Sequence, residues 1–94
     1  MPSLSLDTVL ARNERLSWRV LSGEAVILFP DVGSVHRLND TGTAVWQRLD
    51  GSSTLADIAG ALTRHYEVPV DQANDDIRGV AGELVDAGLA QVVS

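Results

Sequence analysis

Residues 16–38 read LSWRVLSGEAVILFPDVGSVHRL. Leu16, Trp18 and Val20 alternate with Ser17 and Arg19, the period-two pattern of a half-buried strand over Leu16–Leu21. Ser22-Gly23 is a two-residue break that suits a tight hairpin turn, because glycine accepts positive φ without steric cost. Glu24–Phe29 (EAVILF) is the most hydrophobic of the candidate strands and belongs in the middle of a sheet. Pro30-Asp31-Val32-Gly33 makes a second turn, with proline presetting φ and glycine closing it. Ser34–Leu38 (SVHRL) is a third strand. Three strands joined by such short links predict an antiparallel meander whose third strand lies at an edge.

Downstream the period changes. Asn39-Asp40-Thr41 offers side chains that accept hydrogen bonds from the first free amides of a helix, and Ala44, Val45, Trp46 and Leu49 follow at helical spacing. Asp50-Gly51 ends that helix. Thr54 with Asp57 three residues on forms a capping box for a second helix, whose stripe Leu55, Ile58, Ala59, Leu62 and Tyr66 recurs at i, i+3, i+4, i+7 and i+11. Glu67-Val68-Pro69 breaks it. Asp71 caps a third helix that runs to about Ala87 and stops at Gly88, with Ala73, Ile77, Val80, Ala81 and Leu84 as its apolar stripe. Leu89–Val93 is a short apolar tail, either an extra strand or a cover for the core. Upstream, Met1–Arg15 reads as a polar lead-in and a tail, leaving residues 16–94 as the domain. The expected fold is α+β and winged-helix-like, a three-stranded antiparallel meander followed by three helices.

The chain has 94 residues, which allows one domain. It lacks cysteine, which removes thiolate catalysis, cysteine zinc sites and iron–sulfur clusters and favours a reducing, cytoplasmic setting. The first residues lack the basic and apolar regions of a signal peptide, and the run Ala25–Phe29 is too short to span a bilayer. All seven cations are arginine and the formal net charge is −6. Such acidity repels phosphate backbones and anionic lipid heads, so neither nucleic acid nor a membrane is expected as a partner.

No catalytic constellation emerges. His36 and His65 stand alone, one in a strand and one at a helix end, where a metal site needs three or four converging ligands. Ser22, Ser34, Ser52 and Ser53 sit at turns and caps without a base and orienting acid. Asp75 and Asp76 are adjacent on a helix and so point about 100° apart, which is no carboxylate dyad. No cofactor site is expected. A winged helix often reads DNA through its last helix, but here that helix carries Asp71, Asp75, Asp76, Glu83 and Asp86 against Arg78 alone, which would oppose phosphate contact.

A polypeptide partner fits better. The edge strand Ser34–Leu38 offers unpaired backbone groups to which an extended peptide can add. Beside it, Asn74, Arg78, Ala81 and Val85 form a weakly polar flank of the third helix, with Arg78 placed to meet an acidic group. The same flank also reads as the margin of the core. Gly79 and Gly82 cost about 1 kcal/mol each relative to alanine in a helix interior, which would mark close approach of another backbone.

The segments GSVHRLNDTGTAVW (33–46), LDG (49–51), TLADI (54–58), DIR (76–78) and ELVDAGL (83–89) together resemble the PqqD-like family, named for pyrroloquinoline quinone biosynthesis protein D and also called the RiPP recognition element. The resemblance spans about Leu16 to Val93. It implies three strands followed by three helices. It also implies binding of the leader segment of a ribosomally made precursor peptide, laid along the third strand beside the third helix, and its presentation to a modifying enzyme such as a radical SAM protein or a leader peptidase. Carried onto this chain, the peptide-binding set is Val35, His36, Arg37 and Leu38 with Asn74, Ile77, Arg78, Ala81 and Val85. The chain itself would be a non-catalytic adaptor, a monomer or a strand-swapped dimer. The alternatives are a winged-helix nucleic-acid regulator and a structural subunit docked through its apolar tail.

Overall fold

The computed structural model describes residues 4–93. In chain order the elements are β1 (Val9–Arg12), β2 (Ser17–Leu21), β3 (Glu24–Phe29), β4 (Ser34–Arg37), α1 (Asp40–Gln47), β5 (Asp50–Thr54), α2 (Leu55–Tyr66), α3 (Val70–Asp86) and β6 (Ala90–Val92).

The expected meander is present, in the order β2-β3-β4 with both pairs antiparallel. Ser22 and Gly23 turn the first hairpin with φ of +53° and +81°, the left-handed pair whose twist matches the flanking strands. Ala25 and Ile27 of β3 are fully buried, so one face of the meander lies on the core while Leu28 and Val35, directly opposite each other, point away from it.

A second sheet, β5-β1-β6, was not expected from the sequence. Of the expected tail, residues 1–15, the part the structure describes, residues 4–15, is therefore not simply a tail, and residues 1–3 lie outside the described residues. Val9–Arg12 is the central strand of this sheet, Leu10 is fully buried, and Leu4 and Leu6 pack on the core. The carbonyls of Leu6 and Thr8 accept the amides of Ala56 and Leu55 at 2.9 Å each, serving free donors at the start of α2. Four residues are too few to display a period, and both partners of β1 lie far along the chain. Its neighbour β5 (DGSST) carries no apolar residue and read only as a helix link. The apolar tail resolves into the strand alternative, because Ala90–Val92 pairs with β1.

The helices end where their side chains dictate. Asn39 Oδ1 accepts the Gly42 amide at 2.8 Å, and Thr54 and Asp57 exchange both bonds of the capping box at 3.1 and 3.0 Å. The third helix starts two residues earlier than expected. Pro69 occupies its cap position without a side-chain bond, and Asp71 sits in the first turn, where a carboxylate complements the helix dipole. At its other end Gly88 (φ +77°) gives its amide to the Val85 carbonyl at 3.0 Å and Leu89 gives its amide to Leu84 at 2.9 Å. That is a Schellman closure, and both leucines are buried.

Trp46 of α1 is fully buried at the centre of the core, edge-on to Trp18 of β2 at 5.7 Å. Arg12 of β1 donates to the carbonyls of Trp46 and Gln47 at 2.9 and 3.1 Å, capping α1 with a cation from a distant strand. Its guanidinium also lies 5.2 Å from the Trp18 ring centroid.

Candidate peptide-binding groove

β4 is an edge, and the hydrogen-bond pattern says which of its backbone groups are free. The Leu38 amide bonds to the Ala25 carbonyl at 2.9 Å, which makes that pair a hydrogen-bonded one. Such pairs alternate along an antiparallel ladder. His36 and Ser34 therefore also turn their backbone groups towards β3, whereas Val35 and Arg37 turn theirs outward. Where β4 gives way to α1, Thr43 takes over the ladder: its hydroxyl accepts the Ala25 amide at 2.7 Å and donates to the Leu38 carbonyl at 3.3 Å. Gly42 allows this approach, because a Cβ there would sit 3.3 Å from Leu38 Cβ and 3.2 Å from the capping Asn39 oxygen.

Between this edge and α3 runs a groove of about 270 Å³. On the strand side it is lined by His36, Arg37 and Leu38 and by Asn39 and Gly42 at the start of α1. On the helix side it is lined by Val80, Glu83, Leu84 and Ala87, with Leu89 beyond the helix end. Leu84 and Leu89 are buried and Leu38 and Val80 half-buried, so the floor is apolar. The His36 ring packs edge-on against Phe29 at 5.2 Å. Arg37 reaches the other way, its Nε 3.8 Å from Glu24 across the exposed face of the meander.

The sequence-derived residues divide. His36, Arg37 and Leu38 line the groove, whereas Val35, 61% exposed, is not among the lining residues and lies opposite Leu28 on the outer face of the meander. Ile77 and Ala81 are 0% exposed and belong to the core. Asn74, Arg78 and Val85 follow on the side of that buried stripe away from Val80, Glu83 and Ala87, and do not line the groove. A helical wheel gives two flanks about Ala73, Ile77 and Leu84, and nothing local says which one faces β4. The available signal was Val80, an apolar residue on the Glu83 side of the stripe. Gly79 and Gly82 mark no close approach, since a Cβ at either would meet nothing within 4 Å among the described residues.

Among the described residues no group of three or more His, Asp or Glu side chains is placed to hold a metal. No helix among the described residues is long and apolar enough to cross a membrane. The Asp50 carboxyl is held below the ordinary range by the amides of Ser53 and Ser52, which it accepts at 2.8 and 2.9 Å within β5. Asp50 is not among the residues that line the groove.

Residues 24–90 match the family of coenzyme PQQ synthesis protein D (PqqD). The chain belongs to the PqqD family. A curated relative, the PqqA binding protein of Rhizobium meliloti (strain 1021), is 30% identical over 84 residues, covering 89% of this chain and 84% of that protein. Among solved structures, a lasso peptide synthetase B1 complexed with its leader peptide is 30% identical, with a TM-score of 0.77 over 87% of this chain and 96% of that one. TbiB1, in complex with the TbiA(beta) leader peptide, superposes with the same TM-score of 0.77 at 20% identity, over 86% of this chain and 94% of that chain. The fold also recurs within the heterocyclase TruD, with a TM-score of 0.67 and 20% identity, over 92% of this chain but 12% of that one. The PqqD assignment and the α+β fold thus agree with the reading of the sequence.

Proposed function

We propose that this chain is a peptide-binding adaptor. It takes the leader segment of a ribosomally synthesised precursor onto β4, in the groove beside α3, and holds it for a modifying enzyme without performing chemistry itself. The carrying observation is the free edge of β4. Val35 and Arg37 offer outward backbone donors and acceptors beside an apolar groove, the arrangement that strand addition requires. The family assignment and the 30% identical relatives, named for PqqA binding and for a leader-peptide complex, support the same reading. The proposed contact set is Val35, His36, Arg37 and Leu38 on the strand with Val80, Glu83 and Ala87 on the helix. On this reading the enzyme served is a radical SAM protein or a leader peptidase, and the work is done in the cytoplasm.

An NMR titration of the ¹⁵N-labelled chain with synthetic leaders of precursors encoded beside its gene tests this. The expected result is perturbation of the Val35 and Arg37 amides and of Val80, Glu83 and Ala87, with Arg78 and Val85 quiet. Perturbation centred on Asn74, Arg78 and Val85 would transfer the site to the other flank. Silence with every leader, alongside binding to duplex DNA, would replace the adaptor by a nucleic-acid regulator.

A further inference from the structure

The charges around the groove are lopsided. Asp76, Val80, Glu83 and Ala87 recur at i, i+4, i+7 and i+11 and so share one flank of α3. Glu83 stands at the groove wall, is exposed, and has no cationic partner within salt-bridge distance among the described residues. On the strand side Arg37 is drawn to Glu24. The apolar floor of Leu38, Val80, Leu84 and Leu89 is thus overlooked by the unpaired carboxylate of Glu83 in a chain of net charge −6. An extended strand turns alternate side chains inward about every 7 Å. Glu83 and Asp76 are seven residues apart, about 10 Å along the helix axis, roughly three residues of strand.

Resting on the reading that the leader lies in this groove, we propose that Glu83 selects a basic leader. The recognised segment puts an aliphatic side chain on the apolar floor and a lysine or arginine within about four positions of it, against Glu83 and, further along, Asp76. This is the reverse of the acidic partner that Arg78 would have implied. The aliphatic anchor supplies most of the affinity, because it leaves water, while the exposed ion pair supplies discrimination and association rate. Its loss should cost about two- to five-fold in affinity at physiological salt, and more at low salt.

The test needs no knowledge of the natural precursor. A displayed library of random 15-residue peptides is selected against the complete chain and against Val35→Pro, Glu83→Gln and Glu83→Lys. Proline at position 35 removes an outward donor and leaves the β3–β4 bonds intact. The expected outcome is that peptides lost on Val35→Pro are enriched in Lys or Arg near an aliphatic residue. Glu83→Gln should reduce that enrichment, and Glu83→Lys should turn it towards Asp and Glu. Val35-dependent peptides without basic enrichment, or with the same enrichment on Glu83→Lys, would overturn the basic-leader inference and leave the groove standing. Selected peptides indifferent to Val35→Pro would overturn the groove itself.

Discussion

Thr43 shows how one side chain sets the position of the β4 edge. Its hydroxyl holds the Ala25 amide and the Leu38 carbonyl together, and it is 4% exposed. Thr43→Val should cost about 1–3 kcal/mol, because the Ala25 amide is left buried and unpaired. Thr43→Ser should retain most of the stability, and urea unfolding of the two variants measures the difference. Asp50 makes a pH-dependent contribution of known sign. Its folded carboxyl titrates below the ordinary value of 3.8 because the Ser53 and Ser52 amides bind the charged form. The stability it adds is present above the unfolded value and is lost as pH falls through the folded one, so Asp50→Asn should flatten the acid limb of a stability–pH profile. The caps Asn39 and Thr54 were legible, since their partners lie three residues away. Thr43 and Arg12 were not, since they bond to groups 18 and 34 residues distant.

At the scale of elements, the meander and the amphipathic helices were readable because each carries its own period. β1 and β5 were unreadable because their strand character comes from each other: VLAR and DGSST show no alternation of their own. For the candidate groove, the strand side was legible for the same reason. The edge position of β4 follows from the order of three strands, whereas the choice between the two flanks of α3 depends on how the helix is rolled against the sheet. The glycines of α3 are a separable matter. Gly79 and Gly82 contact nothing that a methyl group would disturb. Each should gain up to about 1 kcal/mol on replacement by alanine, read as a raised thermal midpoint. Destabilisation instead would mean that the helix needs its present looseness.

For the molecule as a whole, the second sheet is a clasp. β1 is paired on both sides, with β5 from the middle of the chain and with β6 from its far end. Deleting residues 1–12 would remove Leu10 from the core and leave both neighbours without a partner. A buried leucine alone is worth about 2–5 kcal/mol, and domains of this kind hold only about 5–15 in total. The shortened chain should therefore lose its cooperative unfolding transition by circular dichroism, although everything that lines the groove is retained.

The same clasp has an architectural consequence. Leu10 stands opposite Val92, and the Val93 amide bonds to the Val9 carbonyl at 2.8 Å, so the backbone arrives and departs side by side. A fold closed in this way behaves as a self-contained plug. It can be spliced into a host's surface loop or strung on either end of a longer polypeptide with little demand on the linker. The edge proposed to receive the peptide belongs to the other sheet and would remain open after such grafting.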